Sequence, residues 1–194
     1  MMPMVADRSI LAPLFIGTLV LWFLVEVRQA FRRRVDATPT DRYSLLVLRV
    51  CIGIGVVLAA LARRAALAPI PAGPSVLVGL GLVLMWTGLG LRWWCFQTLG
   101  RYFTFSVMTS ADQSVITSGP YRVLRHPSYA GILLIVLGLG LTLGDWLSLA
   151  AIMVFIGIGL LNRIRVEEAA LSEALGPRYT DFASTRKRLV PYVW

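Results

Sequence analysis

Five apolar runs, each close to the length needed to cross a bilayer, leave this chain a very small menu of folds. They cover residues 10–27, 43–62, 75–91 (extensible to 96), 127–144 and 146–162. Inside hydrocarbon every backbone N–H and C=O must find its partner within the protein, so each run must be a helix, because an open strand would leave those groups unpaired. At 1.5 Å rise per residue a helix needs about 17–20 residues to cover the hydrocarbon, which these runs supply. The expected fold is an all-α integral membrane protein with five transmembrane helices. Composition agrees: 57% of residues are hydrophobic and 15% charged, against about 25% charged in a soluble domain.

The formal net charge of +9 invites a nucleic-acid reading, but the arginines fall between the apolar runs, where topology accounts for them. No zinc-ligand spacing, Gly-rich phosphate loop or RNA-binding aromatic pattern accompanies them. Arg28, Arg32, Arg33, Arg34 and Arg42 follow the first run; Arg92, Arg101, Arg122 and Arg125 follow the third; Arg163, Arg165, Arg178, Arg186, Lys187 and Arg188 follow the fifth. The opposite side carries only Arg8, Arg63 and Arg64. Positive-inside bias then predicts an outside N-terminus, a cytoplasmic C-terminus and a multi-pass protein of the cell inner membrane. The first run flows into an arginine cluster, as an uncleaved span does. Cys51 and Cys95 both lie in apolar runs without nearby His or Cys partners, so they read as small buried residues, with neither a disulfide nor a metal expected.

The length suits one compact unit with two parts. Residues 1–98 form membrane helices one to three, and 99–194 form a half containing a loop, a helical hairpin over 127–162 and a cytoplasmic tail. Gly144–Asp145 is the whole link between runs four and five, which demands an antiparallel hairpin. Gly138, Gly140 and Gly144 read as helix-packing positions. Pro69, Pro71 and Pro74 mark the outer loop before the third run. The loop over 98–125 is long, polar and aromatic, which in a compact protein points to function. Gly119–Pro120 is a turn, Pro127 suits a first helical turn, and Gly176–Pro177 stops a helix that continues past residue 165.

Two polar clusters bracket the hairpin. One is 119–131 (GPYRVLRHPSYAG), holding the single histidine, His126; the other is 162–168 (NRIRVEE). Polar and ionisable groups at the mouth of a membrane helix are costly and mark sites. The hairpin brings both to the same membrane face. Residue chemistry leaves Glu167 with two readings. Arg163 and Glu167 are either an ordinary i,i+4 pair worth a few tenths of a kcal/mol, or a carboxylate for a cationic ligand beside an arginine free to orient an anion.

The combination of GPYRVLRHPSYAG with upstream VITSGPY, RIRVEEAAL and GPRY resembles the isoprenylcysteine carboxyl methyltransferase family and, more distantly, the membrane phospholipid methyltransferases. The similarity covers roughly 103–191. It implies an integral membrane methyltransferase that uses S-adenosylmethionine, with a cytoplasmic cofactor-binding loop and a C-terminal helix. Matching motif positions would put cofactor contacts on Gln113, Ser114, Val115, Ile116, Tyr121, His126, Pro127, Ser128, Tyr129 and Glu167, and the substrate-orienting arginine on Arg163. Arg125 or backbone donors suit the cofactor carboxylate, and Glu167 its ammonium. The implied acceptor is a lipophilic small molecule or membrane lipid, carboxylate or head group. Arg163, Glu167 and His126 are the expected catalytic residues; were the acceptor an amine, His126 or Glu168 would take its proton. No metal, nucleic acid or particular oligomeric state is implied. Two alternatives stay open: a membrane NADPH-dependent reductase of the steroid-reductase-like type, whose helix start has a similar HPxY pattern, and a non-enzymatic lipid-binding protein whose basic residues 186–188 meet anionic lipid.

Overall fold

A computed structural model describes residues 3–30, 38–39, 43–100, 108–109, 115–191 and 194. Its elements are α1 (Pro3–Ala30), β1 (Thr38–Pro39), α2 (Tyr43–Ala65), α3 (Pro74–Leu99), β2 (Met108–Thr109), a 3-10 turn (Gly119–Arg122), α4 (Pro127–Thr142), α5 (Trp146–Leu175) and α6 (Pro177–Ser184). Among the described residues, 4 helices are long and apolar enough to cross a membrane. They are α1, α2, α3 and α5. The fourth apolar run forms a helix of 16 residues, about 24 Å at 1.5 Å per residue, shorter than the other four. It is bounded by Pro127 at its start and by the turn through Gly144, whose φ is 68°.

That positive φ corrects the packing role expected of Gly144: the residue makes the turn, a backbone state that costs glycine least. Gly138 does pack. A Cβ there would meet the carbonyl oxygen of Gly81, and one at Gly81 would lie 2.6 Å from the Gly138 oxygen. Small residues at this crossing let α3 and α4 approach backbone to backbone, the main route to helix association in lipid. The other principal pairing sets α2 along α5, where Ala59, Ile152, Ile156 and Leu160 are buried together with Val136 of α4. Helix α1 lies against α3, with Phe15, Leu19 and Trp22 on Met85, Leu89 and Ile135.

The two ends of the bundle are tied differently. At the expected outer end, residues 68–70 pair with the hairpin turn: Trp146 N donates to Ala68 O at 2.8 Å and Ile70 N to Gly144 O at 3.0 Å. Buried Asp145 caps α5 by accepting from Ser148 N at 2.9 Å and also accepts from Ala68 N at 3.1 Å. At the other end, 124–126 run beside 187–188, and β1 pairs antiparallel with β2, Thr38 opposite Thr109. This short pairing joins the segments after α1 and α3, which the apolar pattern alone did not reveal.

Arg92 is a second correction. It reads in sequence as a loop charge between runs three and four, yet it lies inside α3 at 2% exposure. Its guanidinium reaches Glu26 of α1 (Nη2 to Oε1, 2.6 Å) and donates through Nη1 to Ser128 Oγ and O of α4 (2.9 and 3.1 Å). A charge in this position is tolerable because it is paired and hydrogen-bonded.

Candidate active site

The start of α4 and the polar end of α5 form the candidate site. His126 is the N-cap of α4, 5% exposed, its carbonyl accepting from Tyr129 N and Ala130 N. One helical turn on, Tyr129 turns its ring parallel to the imidazole, with centroids 5.7 Å apart and planes 20° apart. Two turns of α5 face them. Arg163 and Glu167 stand at i,i+4 on one face of α5, so both reach Tyr129. The Tyr129 hydroxyl donates to Glu167 Oε2 at 2.7 Å and accepts from Arg163 Nε at 3.4 Å. Arg163 is 3% exposed and also donates to Ser44 Oγ of α2 at 2.6 Å. His126 Nδ1 lies 3.9 Å from the same Glu167 oxygen. His126, Tyr129, Arg163 and Glu167 thus form one connected group drawn from α4 and α5 and buttressed by α2.

Glu168 points to the other side of the imidazole. Its Oε1 meets His126 Nε2 at 3.1 Å and Arg125 Nη1 at 2.8 Å, and Arg188 grips it with Nε and Nη2 at 3.0 and 2.9 Å from Oε2. A carboxylate saturated by two guanidiniums is a poor proton acceptor. Of the two bases considered for an amine acceptor, Glu168 is the one held by guanidiniums. Arg125, expected to meet a cofactor carboxylate, is here engaged with Glu168.

The other expected contacts distribute around this group. Tyr121 is buried in the 3-10 turn; burial pushes its hydroxyl well above the usual tyrosine range, and the nearby Cys95 thiol and Glu167 carboxylate add to the shift. Pro127 fills the first turn of α4. Ser128 faces away, to Arg92. Val115 packs on Leu175, Tyr179 and Phe182 of the tail, and Ile116 is half-buried. Gln113 and Ser114 lie outside the described residues. Among the described residues no group of three or more His, Cys, Asp or Glu could hold a metal ion.

Ser44, Glu26, Arg92 and Arg188 are the participants that sequence reasoning missed. Each partner lies 20 to 119 positions away along the chain. Glu26 inside an apolar run was the one readable signal, since an intramembrane carboxylate needs a cation.

Comparison with known proteins agrees with the resemblance. The isoprenylcysteine carboxyl methyltransferase (ICMT) family matches residues 80–173, which include α4, the 3-10 turn and the site face of α5. Protein-S-isoprenylcysteine O-methyltransferase A of Arabidopsis thaliana is 31% identical over 115 residues, covering 58% of this chain and 58% of the relative. The uncharacterized protein YpbQ of Bacillus subtilis is 29% identical over 83 residues, 43% of this chain and 49% of that one. The chain thus spans about half the length of the curated relatives it matches. A solved structure of the eukaryotic intramembrane Ras methyltransferase ICMT superposes with a TM-score of 0.59 at 23% identity, covering 75% of this chain and 52% of the other. At that identity the likeness is one of fold. Over residues 80–173 this chain is similar to the isoprenylcysteine carboxyl methyltransferase family.

Proposed function

We propose that the chain is an integral-membrane methyltransferase that moves a methyl group from S-adenosylmethionine to a lipophilic acceptor, a carboxylate of isoprenylcysteine type or a lipid head group. Five membrane crossings are part of this reading, with α4 as the short fifth. So are an inner-membrane location, an outside N-terminus, and a site at the cytoplasmic face within residues 99–194. The observation that carries the proposal is the joining of His126, Tyr129, Arg163 and Glu167 into one group inside the family segment.

The residues present suit the cofactor chemically. Glu167 keeps 30% of its side chain exposed, so an anionic oxygen remains open to an ammonium. The stacked rings of His126 and Tyr129 offer aromatic faces, and cation–π attraction to a sulfonium is worth about 0.5–2 kcal/mol. When bound, the cofactor supplies an electrophilic methyl whose bond to sulfur breaks as a bond to the acceptor oxygen or nitrogen forms. The protein has to align and dry the reacting atoms, which together can contribute about 7–11 kcal/mol. Arg163, braced by Ser44 and Tyr129, presents a planar fork suited to an acceptor carboxylate or phosphate. A carboxylate acceptor has no proton to lose, whereas an amine would pass its proton to His126 Nδ1.

The test is ligand-dependent melting of the purified protein, followed by transfer of labelled methyl into extracted membrane lipid. Saturating S-adenosylmethionine at about 100 times its Kd should add roughly 2.7 kcal/mol of stability, with no matching effect from NADPH. Stabilisation by NADPH alone would replace this reading with the reductase. Binding of neither would leave the lipid-binding protein.

A further inference from the structure

We infer that Glu168, clamped by Arg125 and Arg188, is a positioning residue that holds the His126 imidazole with its proton on Nε2 and turns the Nδ1 lone pair toward Glu167. The inference rests on the proposed site for its functional meaning, but its geometry stands on its own.

The chain returns to the site after α6. Leu124 and Lys187 pair in parallel, Arg125 N donates to Lys187 O at 2.8 Å, and His126 N donates to Arg188 O at 3.0 Å. Those two bonds hold the backbone of the α4 N-cap against the backbone that carries Arg188. The Arg188 guanidinium lies 5.3 Å from the Trp194 ring centroid and grips Glu168. Arg125 approaches the other oxygen of Glu168 at 2.8 Å. Guanidinium groups stay protonated at any accessible pH, and two of them keep this carboxylate ionised. An ionised carboxylate only accepts hydrogen bonds, so at 3.1 Å the His126 Nε2 must donate. In the neutral ring the proton is then on Nε2 and the lone pair on Nδ1.

That lone pair faces Glu167 Oε2 across 3.9 Å, too far for a hydrogen bond and with acceptors on both sides. Such an arrangement suits a donor brought by a ligand, such as the ammonium assigned to Glu167. The ring has little freedom to reverse, being 5% exposed and stacked on Tyr129. Glu168 therefore acts through His126, and Arg188 acts through Glu168.

The experiment uses ring-¹⁵N histidine in the full chain in detergent micelles. The sequence has a single histidine, so each ring nitrogen gives one resonance. The spectrum is read at alkaline pH, with the ring neutral. The expected wild-type spectrum has the proton on Nε2. Glu168→Ala should shift the ring to a mixture of tautomers and weaken S-adenosylmethionine binding about tenfold, as loss of one ordinary hydrogen bond would. Glu168→Gln, whose carbonyl can still accept from Nε2, should restore most of both. A wild-type proton on Nδ1 overturns the inference without any variant, as does a Glu168→Ala protein that keeps the wild-type tautomer. If Glu168→Ala does not fold, the wild-type and Glu168→Gln spectra decide. Absent cofactor binding would count against the proposed function alone, because the ring spectrum is read without cofactor.

Discussion

Replacing Glu26 by Gln isolates an ion pair that joins α1 to α3. Arg92 is 2% exposed and its Nη2 lies 2.6 Å from Glu26 Oε1, while Nη1 holds the first turn of α4 through both Ser128 oxygens. The ring of Phe96 lies 5.0 Å beneath the guanidinium. Glu26→Gln keeps the shape and the hydrogen bond from Trp22 but strands the cation. Breaking a buried pair from one side costs about 3–5 kcal/mol. Glu26 is 24% exposed, which lets water share the charge, so the lower part of that range applies: about 3 kcal/mol. At about 2–4 °C per kcal/mol for a chain of this length, the melting temperature should fall by about 10 °C. Thermal melting in one fixed detergent, with and without S-adenosylmethionine, reads it. The double variant Glu26→Leu/Arg92→Met removes both charges and should recover most of the loss, since an apolar pair of similar volume replaces a buried ion pair at little cost. A Glu26→Gln protein melting within a degree or two of wild type would refute the reasoning, as would a double variant less stable than the single.

The packing of α3 on α4 predicts a contrast between two glycines. Gly138→Ala puts a methyl against the Gly81 carbonyl and should cost about 1–3 kcal/mol, whereas Gly79→Ala, with nothing within 4 Å, should be neutral or slightly stabilising; melting of the two variants side by side checks it. Asp145 accepts from Ser148 N and, less strongly, Ala68 N, which hold its carboxyl below the ordinary value of 3.8. A depressed folded value stabilises above the unfolded value and is lost as pH falls through the folded one. Acid melts should therefore show wild type converging on Asp145→Asn below about pH 4 and exceeding it at neutral pH. Ser44→Ala should raise the acceptor KM about fivefold, the equivalent of one hydrogen bond of about 1 kcal/mol, and leave cofactor affinity unchanged, as measured in initial-rate and binding assays.

The helices were legible because lipid permits so little else: an apolar run of spanning length can satisfy its backbone within itself only as a helix, and the starts at Pro127 and stops at Gly176 follow from local chemistry. The meeting of His126 with Glu167 was legible too, since so short a link forces the hairpin to bring its ends together. Arg92 was not. A helix apolar all round carries no amphipathic signal of its rotation, so a residue near its end reads equally well as loop or core. Ser44 looks like any small polar residue at a helix start, and only the packing of α2 on α5 brings it to Arg163. Arg188 was read as tail charge for topology or lipid because nothing local announces that the chain doubles back to 124–126. Gly144 was misassigned because small-residue spacing describes packing glycines and turn glycines alike.

Equilibrium binding of S-adenosylmethionine to wild type and Glu167→Gln, in the same micelles, tests the central claim most directly. Losing a hydrogen bond to a charged partner, about 1.5–3 kcal/mol, corresponds to affinity reduced about 10- to 150-fold, with the fold retained because Gln still accepts from Tyr129. Saturable wild-type binding with that loss is the result expected. Equal affinity in the two proteins, or no binding to either, would contradict the site described for Glu167.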